Sequence, residues 1–124
     1  MSKLVASTPF INVSIKIRPD HITGSYKVET APAILRVTQP DTIINYQIVD
    51  SGEQNIVFNK NNPMTVTPSD NNQLSLPSVG ITGKLLTFSD ANSVAMTLKI
   101  LLHFVDEKGV EFKHDPEVSN DPQR

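Results

Sequence analysis

The sequence predicts an all-β domain, an antiparallel β-sandwich of about seven strands. Three observations predict it. Residues 94–105 alternate apolar and mixed positions with a period of two, the spacing of a strand with one buried face. Nine prolines interrupt the chain at short intervals. No 3.6-residue apolar pattern persists beyond roughly two helical turns. At 124 residues the chain is sized for one domain, large enough to bury a core without staples.

The elements follow in order. Residues 1–8 read as a loose N-terminal arm, 9–114 as the sandwich and 115–124 as a proline-containing C-terminal tail. From Phe10 to Ile17 the residues Ile11, Val13, Ile15 and Ile17 alternate with Asn12, Ser14 and Lys16. Arg18-Pro19-Asp20 should stop that strand, because proline lacks the donor a ladder needs. Tyr26 to Glu29 and Ala33 to Gln39 read as short strands separated by Pro32.

Thr42 to Val49 alternates clearly, and Asp50-Ser51-Gly52-Glu53 is a turn sequence. Ile56 to Phe58 is then expected to fold back on that strand as a hairpin. Met64 to Thr67 lies between two prolines, and Leu74 with Leu76 suggests a strand edge. Lys84 to Phe88 reads as a strand. Ser89 to Ser93 reads as a turn, with room for one helical turn capped by Ser89 or Asp90.

The principal strand is 94–105. Val94, Met96, Leu98, Ile100, Leu102 and Phe104 share one face. Ala95, Thr97, Lys99, Leu101, His103 and Val105 share the other. Burying the first set would stabilise by roughly 9–18 kcal/mol, an upper bound before entropy is subtracted. Asp106-Glu107-Lys108-Gly109 reads as a tight hairpin turn, with Val110 to Lys113 as the return strand.

Composition excludes several function classes. Charged residues are 19% and the formal net charge is −2, with no run of Lys or Arg. Phosphate-neutralising nucleic-acid binding and attachment to an anionic membrane both need a basic patch. No stretch approaches the roughly 18 apolar residues of a membrane span. Cysteine is absent, so there is no disulfide, thiol nucleophile or thiolate metal site. No signal-peptide core precedes the first strand, and the expected location is the cytoplasm.

Catalytic and metal motifs are missing. His21, His103 and His114 lack the two-to-five-residue spacing of zinc ligands. Across the final hairpin His103 and His114 are at best diagonal, and a site using Asp115 or Glu117 would be weak. Ser69-Asp70-Asn71-Asn72 and Asp50-Ser51-Gly52-Glu53 are oxygen-rich, but such residues are ordinary turn formers. No Gly-x-Ser-x-Gly elbow and no glycine-rich phosphate loop is present. No enzyme, cofactor or metal is therefore expected.

Two resemblances refine the reading. Asp90, Asn92, Val94 and Met96 stand where immunoglobulin-like domains place an Asp, a small residue and a Tyr-x-Cys pair before a late strand. That corner resembles the immunoglobulin-like sandwich, although the Tyr, the Cys and the core Trp are missing. The segment Asp115-Pro116-Glu117-Val118 after a terminal hairpin resembles the DP-EP family of small bacterial β-proteins, with the second step here being Asp121-Pro122. No activity is attached to that family, so the resemblance implies no catalytic or binding residues. A remoter similarity is to inclusion-body proteins of the PixA and AidA type, which implies self-assembly by analogy.

The expected function is a non-enzymatic interaction module. It would self-associate or bind a protein partner through a sheet face, an edge strand or the tail. Leu101, His103 and Val105 make the outer face of the principal strand more apolar than a solvated face should be. Either a neighbouring loop covers that face or a partner does. Asp115, Pro116, Glu117 and Val118 complete the candidate interface, as a stiff tail that costs little entropy to dock. The alternative is a small-ligand or carbohydrate-binding sandwich, calcium-assisted in one version. Two Tyr and no Trp argue against a sugar platform.

Overall fold

The computed structural model describes residues 8–123. The arm expected over 1–8 lies outside the described residues, apart from an exposed Thr8. The strands are β1 (Phe10–Asp20), β2 (Ser25–Ala31), β3 (Leu35–Val37), β4 (Thr42–Asp50), β5 (Val57–Phe58), β6 (Met64–Thr67), β7 (Ser78–Val79), β8 (Leu85–Asp90), β9 (Met96–Val105), β10 (Glu111–His114) and β11 (Glu117–Asn120). One sheet has the order β2-β1-β4-β8-β7. The other has the order β10-β9-β11-β3, with β5 and β6 also paired to β9.

The all-β sandwich is the fold the alternation predicted. It differs in detail. Among the described residues there are eleven strands rather than about seven; β5 and β7 are two-residue pieces and the tail contributes one more. Two pairings are parallel, β1 with β4 and β3 with β11. Parallel neighbours need a crossover. Between β1 and β4 the chain supplies it by running through β2 and then β3 of the opposite sheet.

The principal strand holds the core as expected. Leu98, Ile100, Leu102 and Phe104 are each at most 1% exposed. Facing them from the first sheet are Ile15, Ile17, Ile44, Tyr46 and Leu86, also buried. Phe104 stacks between Phe58 and Phe112, with ring centroids 5.1 and 5.3 Å away. Tyr26 stacks on Phe112 at 4.3 Å and closes that end of the core. Val94 precedes the strand and is exposed.

Four local expectations are corrected. β1 runs through Pro19 to Asp20; its pairing with β4 ends at Lys16, so beyond that point it has one neighbour, a setting that tolerates proline. An ion pair of Arg18 with Asp50 ties the ends of β1 and β4, with Nη1 2.8 Å from Oδ1. β5 does not pair back on β4. It pairs with Val105 and Phe104 of β9, because Phe58 gains more by entering the aromatic core than a two-residue hairpin would supply. Residues 89–93 form no helical turn; Ser89 and Asp90 belong to β8.

The fourth correction concerns the tail. Residues 117–120 form β11, which sits between β9 and β3. Val118 is fully buried and Asn120 nearly so. The segment is a sheet member because Val118 faces Leu98 on one side and Leu35 on the other. No helix among the described residues is long and apolar enough to cross a membrane, which says nothing of strand-built membrane proteins.

Candidate functional site

The site is built on the hairpin that follows the principal strand. Gly109 takes the left-handed conformation the turn requires, with φ +80°. Asp106 Oδ1 accepts the Lys108 and Val110 N–H groups, both at 2.9 Å, and fixes the turn. β10 then pairs with β9, His114 facing Leu102. After the Asp115-Pro116 step β11 pairs with β9 in unchanged register, Glu117 facing Lys99. Asp115 and Pro116 therefore face Leu101 and Ile100. Pro116 lacks an N–H, but its carbonyl still accepts the Ile100 N–H at 3.1 Å.

The step divides one long strand into two environments. Among the described residues β11 has β3 as a second neighbour, and β10 has none. Beside the free edge of β10 runs the β2–β3 connection, and between them lies a groove of about 480 Å³. Val28, Ala33, Ile34 and Pro116 supply its apolar lining, and Glu29, Asp115 and Glu117 its charge. Pro116 is buried and Val28 half-buried, while Ile34 is 65% exposed. β2 is itself the end strand of its sheet, so two unpaired strand edges flank this side of the sandwich.

The groove is negative. Among the described residues its lining contains three carboxylates and no Lys or Arg. Lys27 lies outside it, with its ammonium 3.3 Å from Glu29 at an exposed position where such a pair contributes little. Burial lowers the pKa of His114, and the nearby Asp115 charge only partly opposes this. His114 therefore stays neutral near neutrality and does not offset the carboxylates.

The candidate residues separate into distinct settings. Asp115 and Glu117 are exposed, and with the buried Pro116 they line the groove. Val118 is core, as its position in β11 requires, and does not belong to a free surface. Leu101 and Val105 are half-buried on the outer face of β9. His103 is only 8% exposed, with Nε2 2.8 Å from Thr65 Oγ1. The loop from Asn59 to Pro63 reaches the same position. The Asn59 N–H donates to the His103 carbonyl, and the His103 N–H donates to the Pro63 carbonyl, both at 2.9 Å. The His103 ring is thus engaged by Thr65 of β6, while Leu101 lies opposite Asp115 in the continued register.

Sequence reasoning missed the opposite wall, Val28 to Ile34. Its one signal was Ile34, an apolar residue out of phase with the inward pair Leu35 and Val37. Other chemistry is limited. His103 faces Lys113 and His114 faces Leu102, so strand alternation sets the two imidazoles on opposite faces. No group of three or more His, Asp or Glu able to hold a metal occurs among the described residues. Asp50 is engaged by Arg18, and Asn71 Oδ1 accepts the Gln73 and Leu74 N–H groups, so each oxygen-rich loop has its own structural use. Tyr46 is buried, and Tyr26 is held by Phe112, Gln54 and Asp106.

Comparison with known proteins gives one family. A family model described as the DP-EP family matches residues 8–122. No curated protein matches the chain.

Proposed function

We propose that this chain, which belongs to the DP-EP family, acts as a non-enzymatic interaction module that docks an extended protein segment in the groove at Asp115-Pro116-Glu117. The observation that carries this reading is Ile34, 65% exposed beside Asp115 and Glu117 on the unpaired side of β10. An unpaired strand supplies main-chain donors and acceptors, and the side-chain pockets next to it supply selectivity. The charge of the groove favours a segment with Lys or Arg flanking an apolar residue. We place the module in the cytoplasm, in keeping with a chain that has no cysteine.

Selection from a random-peptide display library tests this. The wild-type chain should enrich basic-apolar sequences, and the exposed substitutions Ile34→Asp and Glu117→Lys should each abolish the enrichment without unfolding the protein. Recovery of no sequence class, or of one indifferent to both substitutions, would sink the reading. Light scattering across a concentration series separates the self-associating version. A dimer that Ile34→Asp dissolves would make the partner a second copy.

A further inference from the structure

The side of the sandwich opposite the acidic groove has an apolar patch of its own. β2 and β7 are the two end strands of the first sheet. In the second sheet β10 and β6 flank β9 on opposite sides, with His114 and Met64 both facing Leu102. Between the β5–β6 loop, β6 and the β7–β8 turn lies a hollow of about 530 Å³, with Lys60, Pro63, Met64, Leu76, Val79 and Ile81 in its lining. Leu76 is 92% exposed and Ile81 100%. Two large apolar side chains projecting from one patch mark an interaction surface, where single scattered ones would not.

The backbone holds both side chains out. The Gly80 N–H donates to the Leu85 carbonyl and the Gly83 N–H to the Gly80 carbonyl, both at 2.9 Å, which fixes the turn bearing Ile81. Gly83 has φ +76°, and a Cβ there would lie 2.8 Å from Val57, so the turn is seated closely on β5. The Ser75 N–H donates to the Ser89 carbonyl at 2.9 Å and lays the chain before Leu76 along β8. A surface ordered in advance loses little entropy on docking. Its charge complements the groove. Among the described residues the lining of the hollow holds Lys60 and no Asp or Glu, whereas the groove holds Glu29, Asp115 and Glu117 and no Lys or Arg.

We propose that the occupant of the groove is the Leu76 to Ile81 edge of a second copy of this chain, so that copies associate head to tail. The inference rests on the groove reading above and names its partner. A groove-to-groove dimer would set the same three carboxylates of each copy against one another, and like charges disfavour that two-fold contact. Contact between the groove and the opposite patch instead brings Lys60 toward the carboxylates, and Leu76 and Ile81 toward Val28 and Ile34. The two surfaces lie on opposite sides of the sandwich, so a pair of copies still presents one of each, and association continues beyond two. Pro77 and the two-residue β7 keep any backbone ladder between copies short, so side chains set the fit.

Sedimentation velocity of the full chain, up to millimolar concentration, tests this. The average mass should climb past that of a dimer with no plateau there. The groove variant Ile34→Asp and the patch variant combining Leu76→Asp with Ile81→Asp should each weaken association by at least about tenfold. All three positions are exposed, so thermal unfolding should be unchanged. Mixing the two variants adds a test that only a head-to-tail contact passes. Each keeps the surface the other has lost, so a one-to-one dimer should form and nothing larger. The inference is overturned by a wild-type chain that is monomeric throughout, by a dimer indifferent to the patch variant, or by a mixture that stays monomeric. Peptide enrichment that Ile34→Asp abolishes, found beside any of these, would keep the groove as a docking site for a different protein. Loss of that enrichment as well would sink the groove reading too.

Discussion

The carbonyl of Pro116 accepts the N–H of Ile100, so the ladder between β9 and its return strand continues through a residue that cannot donate. The Asp115-Pro116 step is therefore a gap in one side of the bonding, within a strand that keeps its register. It leaves the outer edge of β10 free and still delivers Val118 to the core.

Val118→Ala should destabilise the protein by roughly 1.5–3 kcal/mol, because the side chain is fully buried between β9 and β3. Removing residues 115–124 should abolish cooperative unfolding altogether. Urea denaturation followed by circular dichroism measures both. A dispensable tail would leave the midpoint where it was.

Leu101 offers a test of the register across the gap. Leu101→Asp sets a carboxylate opposite Asp115, and Leu101→Lys sets an ammonium there. The Lys variant should be more stable than the Asp variant by roughly 0.2–1 kcal/mol, the size of a cross-strand charge effect. The difference should shrink in 1 M salt. Equal stabilities at low salt would mean that the two positions do not face each other.

Acid should weaken the fold first through histidine. Burial lowers the pKa values of His103 and His114 from their ordinary 6.5. The unfolded chain then takes up protons near that pH while the folded chain resists, so stability falls as the pH drops below about 6.5. His103→Gln should flatten part of that slope. Asp90 acts in the opposite sense. Burial raises its pKa from 3.8, so its contribution is favourable in acid and is lost as the pH rises through the folded value. Denaturation at a series of pH values, with and without each substitution, separates the two.

Tyr46→Phe should stabilise by about 1 kcal/mol. The ring is buried and stacks on Phe88 with centroids 6.2 Å apart, while its hydroxyl has no hydrogen-bond partner. Equilibrium unfolding measures this, and a loss of stability would show that the hydroxyl is satisfied in solution.

The legible parts of the fold were those with long alternation. β1, β4 and β9 show their inward faces in sequence, because burying one face of a long strand leaves a period-two pattern. β5 and β7 have two residues each, too few for any period, and β5 finds its partner far along the chain through Phe58 and Phe104. Val118 stood alone between two Asp-Pro steps, so its burial was invisible until Leu35 and Leu98 were placed beside it. Half of the groove could be read, the Asp115 to Glu117 side. Val28 to Ile34 could not, since a tertiary crossing brings it there. Nothing in the sequence marks Asn92, Asn120 and Gln73 as buried, because tertiary packing sets their burial.

The position of β11 between β9 and β3 has a consequence for biosynthesis. The second sheet is missing an interior strand until residue 120 has been made and has cleared the ribosome. Until then Leu35 and Val37 on one side and Leu98 on the other have exposed apolar flanks and open backbone edges. Such a nascent chain offers a ready template for strands of other chains and a natural client for a holding chaperone. The sheet is then closed from the C-terminal side by insertion of its late strand.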